Sequence, residues 1–177
     1  MADLALNFEK ISNRILFGVL AVILLLVNYL ILSKEYVLAD GEVMLLELAP
    51  RDPRSIIQGD YMVLRYSIAR EIAQHSKSLT EEGKVVVRLD DQRVAHYQRF
   101  YDGKVPLKDN EYLLFYRKRN GVVKIATDAF FFQEQQGKYY RAARYGEVHV
   151  SDSGDVVLSG LRDKDFNKLS PLPAEEL

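Results

Sequence analysis

From Ile15 to Ser33 the chain runs for nineteen residues without a charge, ILFGVLAVILLLVNYLILS, interrupted only by Gly18 and Asn28. At 1.5 Å per residue such a helix reaches about 28 Å, close to a bilayer core of about 30 Å. The pattern predicts a transmembrane anchor over residues 15–33, preceded by a cytoplasmic segment 1–14. Small or compact residues at Val37-Leu38-Ala39 offer a cleavage site after Ala39. The apolar run is longer than the roughly 7–15 residues of a cleaved signal, so an uncleaved signal-anchor is expected. Lys10 and Arg14 before the run, against Lys34 just after it, place the N-terminus inside by the positive-inside rule. The remainder would then face the periplasm or the cell exterior, with the helix in the inner membrane.

Beyond the anchor, apolar and polar residues alternate in short runs separated by turn residues. Strands are predicted over Val43–Leu48, Tyr61–Tyr66, Lys84–Leu89, Arg93–Tyr101, Glu111–Arg119, Val122–Thr127, Ala129–Glu134, Tyr139–Val150 and Val156–Leu161. Asp102-Gly103, Asn120-Gly121, Gln136-Gly137 and Ser153-Gly154 read as hairpin turns, Asn120-Gly121 most sharply. One helix interrupts them, capped by Ser67 and striped by Ile68, Ala69, Ile72 and Ala73 as far as about His75. Residues 170–177, with proline, serine and acids, read as a loose tail. The expected architecture is mainly β: one anchor helix, then an antiparallel β-sandwich or barrel-like domain over 34–169 with one short helix.

Composition narrows the chemistry. The 177 residues carry 24 basic and 25 acidic side chains, so no overall field draws the chain to nucleic acid. The absence of cysteine excludes disulfides, thiolate metal sites and cysteine nucleophiles. Eleven tyrosines and eight phenylalanines suit a half-buried pleated surface. His75, His96 and His149 stand singly, without metal-ligand spacing, and neither metal nor cofactor is implied. The acid pairs Asp90-Asp91 and Glu81-Glu82 sit beside turns, where solvated carboxylates are ordinary. A serine–lysine hydrolase is disfavoured. Ser55 precedes Gly59 by four residues where about eight are expected, Arg51 stands at that position, and Lys77 and Lys84 lack apolar surroundings that would depress their pKa.

The segment from Pro50 to Tyr66, PRDPRSIIQGDYMVLRY, holds the most distinctive residues. In an extended Tyr61–Tyr66, Leu64 and Tyr66 share the core face and Tyr61 points the other way. Gly59-Asp60 forms the turn before it. Arg51, Asp52 and Arg54, confined between two prolines, form an acid–base cluster suited to a ligand or partner, or one that fastens the loop to Glu134 or Arg144. Phe130, Phe131 and Phe132 must occupy both faces of a strand. Both faces are expected to be covered, and a phenylalanine left exposed would mark contact with lipid or a partner.

GDYMVLRY resembles the defining signature of the bacterial GDYXXLXY family. The likeness extends to the preceding anchor, to FFFQE (Phe130 to Glu134), to RYGE-V (Arg144 to Val148) and to the Gly-Leu ending at Leu161. One departure is visible: Gln135 stands where the family leads us to expect glycine, and Gly137 is the candidate to take over its turn. The resemblance implies an anchored domain of uncharacterised function, associated with a multi-spanning membrane protein. The expected function is therefore an extracytoplasmic accessory or binding domain contacting the bilayer and such a partner. The alternative is a small-ligand-binding protein or hydrolase that uses Asp52, Asp60 and Glu134 as acids, with Arg51 and Arg144 as anion holders and Tyr61 nearby.

Overall fold

A computed structural model describes residues 2–49, 61–75 and 80–171, with side chains from residue 14 onward. The chain divides into two compact units, Met1–Tyr36 and Val37–Leu177. The first is the body of helix α1 (Ala2–Asp40), whose side chains from Ile15 to Leu32 are all exposed. Its stretch Arg14–Asp40 is long and apolar enough to cross a membrane, or to serve as a signal sequence.

The second unit is mainly β. Its elements are β1 (Glu42–Glu47), β2 (Tyr61–Val63), α2 (Ser67–His75), β3 (Glu82–Leu89), β4 (Ala95–Phe100), β5 (Glu111–Arg119), β6 (Val122–Lys124) and β7 (Ala129–Phe131). A 3-10 turn (Gln136–Tyr140), β8 (Tyr145–Val150), β9 (Val156–Arg162) and β10 (Lys168–Leu169) complete them. Two antiparallel sheets, β1-β8-β9-β10 and β4-β3-β5-β6, curl around a common core, and a two-stranded ribbon β2-β7 lies with them. Bulges at Val86/Val87 and Glu147/Val148 help them curl, since an extra residue on one strand bends it and tightens its twist. The sheets meet where Leu45 N–H donates to the Arg93 carbonyl (2.9 Å) and Leu45 bridges Val94.

Alternation along the strands builds the core. Met44, Leu46, Val85, Val87, Leu114, Val148 and Leu161 are all fully buried in one cluster. Ile68 and Ile72, one turn apart on α2, complete it from above. Val86 and Leu113 are a cross-strand pair on the opposite face of β3-β5. The β8–β9 turn reaches this face, where Phe115 N–H donates to the Gly154 carbonyl (2.9 Å).

Where the strands differ from expectation, local backbone geometry decides. β6 ends at Lys124 rather than Thr127 because Ala126 turns into the left-handed region (φ 52°). β4 starts at Ala95 because Arg93 is left-handed (φ 63°) and its guanidinium bonds back to the Val43 carbonyl. Tyr139–Arg144 is not strand. Tyr140 is drawn under Phe130 (4.9 Å between centroids, edge-on) and Phe132 (5.5 Å, stacked), and the chain makes a 3-10 turn there. Gln136-Gly137 therefore belongs to that turn and not to a hairpin. Gln135 itself takes the left-handed conformation (φ 66°), so the turn is not handed on to Gly137. Ser67 is the first helical residue, flanked by Tyr66, whose carbonyl accepts from Ala69 N–H (3.2 Å), so it does not act as the cap.

Asn120 (φ 51°) and Gly121 (φ 78°) form the two-residue turn that joins β5 to β6. Gly121→Val should cost about 1–2 kcal/mol, the penalty of a β-branched residue in left-handed backbone. Thermal melting of the detergent-solubilised chain measures it.

Candidate functional site

The tyrosine-rich segment that opens at Tyr61 forms β2 and the entry to α2. Tyr61, Met62 and Val63 pair with Phe131, Phe130 and Ala129. Period-two alternation turns Met62 inward, fully buried, while Val63 and Phe131 lie 43% and 74% exposed on the outer face. Tyr61 tilts against Phe131 at 5.7 Å between centroids. The expectation that both faces of the Phe130–Phe132 run are covered fails at Phe131. Its neighbours pack on Tyr140, leaving the outward ring with Tyr61 as its aromatic neighbour.

Leu64 and Tyr66 are buried. The Tyr66 ring lies over Gly146 of β8, where an added Cβ would come 3.2 Å from the ring edge. Gly146 in turn sits between Leu46 on β1 and Leu161 on β9, both fully buried, and leaves a slot the width of a ring. The Tyr66 hydroxyl donates to the Thr127 carbonyl at 3.2 Å.

Beside this strand a groove of about 730 Å³ opens between α2, the β5–β6 hairpin and the residues around Leu64. Leu64, Val123 and Ile125 form its buried floor, and Ala49, Ala69 and Ala73 keep it wide. Arg65, Arg70, Arg119 and Lys124 line it with a single acid, Asp128. Lys124 forms an ion pair with Asp128. Among the described residues the three arginines have no carboxylate partner. Arg65 and Arg70 are neighbours in sequence and Arg119 lies about fifty residues further on, so no single local motif announces the groove.

A second polar cluster lies on the opposite side of β8 from the core. Glu147 is buried and bonds to the Arg162 guanidinium; Ser159 Oγ donates to it at 3.1 Å, and Lys168 Nζ stands 3.6 Å away. Burial pushes the Glu147 carboxyl up, but the hydrogen bond and charge of Arg162, with Ser159 and Lys168, hold it below its ordinary value. Arg162 also donates to the Phe166 carbonyl (2.7 Å), and Phe166 stacks on Tyr145 at 5.0 Å. The group is closed on itself, and it fastens β8, β9 and β10 together.

Of the residues singled out from sequence, Arg51, Asp52, Arg54, Gly59 and Asp60 lie outside the described residues. Glu134 and Arg144 are exposed, and neither forms an ion pair with a described residue. Arg144 Nη1 donates instead to its neighbour's carbonyl, that of Ala143, at 3.3 Å. The three histidines fall on α2, β4 and β8. Among the described residues no three His, Asp or Glu side chains gather as a metal site requires.

The family model described as GDYXXLXY protein matches residues 23–161, from the apolar helix to the buried Leu161. The chain belongs to the GDYXXLXY family. No curated protein and no solved structure matches it. In this GDYXXLXY protein the final tyrosine of the signature, Tyr66, and the glycine of RYGE-V, Gly146, are one contact. The glutamate of the same block, Glu147, faces away into the Arg162 cluster.

Removing Glu147 leaves Arg162 and Lys168 without their carboxylate. Glu147→Gln should cost about 3 kcal/mol, the lower end for a buried pair because Arg162 is one-third exposed. Because the folded carboxyl is held down, its stabilisation is present above the ordinary value of 4.5 and lost as pH falls through the depressed one. Urea unfolding at pH 7 and at pH 3 should show a smaller difference for the glutamine variant than for the parent.

Proposed function

We propose that this GDYXXLXY protein is a single-pass accessory module of the inner membrane. Its N-terminus is cytoplasmic, its β domain lies on the periplasmic or exterior side, and it works with a multi-spanning membrane protein. The apolar stretch Arg14–Asp40 supports the anchor, and the cations Lys10 and Arg14 before it support the orientation.

The observation that carries the partner is the outer face of the β2-β7 ribbon. A phenylalanine 74% exposed beside Val63 and Tyr61 is apolar surface that a folded domain ordinarily covers, and aromatic side chains anchor protein interfaces. Arg51 and Arg54, which lie between Ala49 and Tyr61 in sequence, supply on the reading of the sequence a further contact with that partner.

A photo-crosslinking amino acid at position 131, followed by mild-detergent extraction and mass spectrometry, should capture one multi-spanning protein at stoichiometric yield. Phe131→Ser, which carries no crosslinker, should lose the partner on mild-detergent extraction while moving stability by less than about 0.5 kcal/mol, as expected of an exposed site. Crosslinks to lipid alone, or an unchanged complex in the Phe131→Ser variant, would defeat the partner reading. Charge reversal of Arg51 and Arg54 that leaves the complex intact would remove the loop from it.

A further inference from the structure

We propose that the groove between α2 and the β5–β6 hairpin binds an anionic amphiphile, a phosphate or carboxylate head carrying an apolar chain. The three arginines hold the head and the aliphatic floor takes the chain. The proposal is independent of the partner contact at Phe131.

Charge makes the first argument. The chain as a whole carries a net charge of −1, yet the groove gathers four cations against one acid, and that acid is already paired with Lys124. Arg65, Arg70 and Arg119 carry like charge and lack a compensating carboxylate among the described residues. Like charges around one concavity make it a favourable place for an anion. Arginine is also the residue whose planar fork matches the oxygens of phosphate and carboxylate.

Shape makes the second. A concavity of about 730 Å³ falls within the roughly 300–1,000 Å³ of small-molecule sites. Its floor of Leu64, Val123 and Ile125 is buried aliphatic surface, and Ala69 and Ala73 on α2 leave the space that longer side chains would fill. An inorganic anion would use the arginines and leave that floor wet. A neutral lipid would use the floor and leave the arginines unpaired. Only a molecule with both parts satisfies both walls.

The test uses the full chain in phosphatidylcholine nanodiscs, with 11-(dansylamino)undecanoate as the fluorescent probe. Saturable binding is expected, displaced by dodecyl phosphate and dodecanoate but not by dodecanol or inorganic phosphate. The double reversal Arg65→Glu, Arg119→Glu should weaken binding roughly tenfold or more, the range for losing charged hydrogen bonds. Ala73→Trp, which fills the groove and leaves every charge in place, should block binding even if the charge reversal perturbs folding.

Native mass spectrometry from nanodiscs containing phosphatidylglycerol separates the two sources of the ligand. Phosphatidylglycerol retained by the parent and lost in both variants assigns a membrane lipid. Dansylundecanoate binding without retained phosphatidylglycerol assigns a free amphiphile. Equal displacement by dodecanol, displacement only by an oligoglutamate peptide, or unchanged binding in Ala73→Trp would each overturn the proposal.

Discussion

Tyr66 holds the β domain together although it lies outside every named strand and is joined to Leu48 by an isolated antiparallel bridge. Its ring fills the slot that Gly146 leaves between Leu46 and Leu161, so the second unit's first sheet is packed through a residue that belongs to neither of its large sheets. Its hydroxyl reaches the Thr127 carbonyl just before β7, and its backbone bridges Leu48 just after β1. Three separate stretches of chain are thus tied at one aromatic side chain. α2 begins at the next residue and brings Ile68 and Ile72 down onto the same core. The direction of α2, and with it the wall of the arginine groove, follows from where that ring is seated.

The domain treats its charged groups in two contrasting ways. Glu147 is almost fully buried and surrounded by donors, so the desolvation of its carboxylate is offset within the fold. Arg65, Arg70 and Arg119 are exposed around an apolar hollow with no carboxylate to answer them among the described residues. The first arrangement is complete in itself and serves stability. The second is complete only with a ligand, which is why the two clusters call for different experiments despite similar composition.

Sequence periodicity was a good guide wherever one element's own residues decide its state. The uncharged run at Ile15–Ser33, the nine residues of β5 and the Asn120-Gly121 turn are all local in this sense. It failed where a distant contact won. Tyr139 and Tyr140 have strand propensity, but Tyr140 packs edge-on against Phe130 and stacks on Phe132, and the chain makes a 3-10 turn there. Two-residue β10 is too short for any pattern and exists because Lys168 and Leu169 meet β9. Gln135 occupies left-handed backbone without being glycine, a cost invisible to a rule that looks for glycine. For the candidate site the limits were sharper. Glu147 lay within a recognised block but gave no sign of burial, and the groove's arginines come from two segments, 65–70 and 119, that only the fold brings together.

The pairing of β1 with β8 has a consequence for how the protein is made. Glu42 pairs with Val150, a separation of 150 − 42 = 108 residues. At a synthesis rate of about 5–20 residues per second, β1 waits roughly 5–20 s for its partner to be synthesised. Throughout that interval β1 lacks its hydrogen-bonded neighbour, and its backbone offers an open edge. Completion of the first sheet is therefore a late event, and the nascent chain is a natural client for whatever factors shield unfinished strands during its biogenesis.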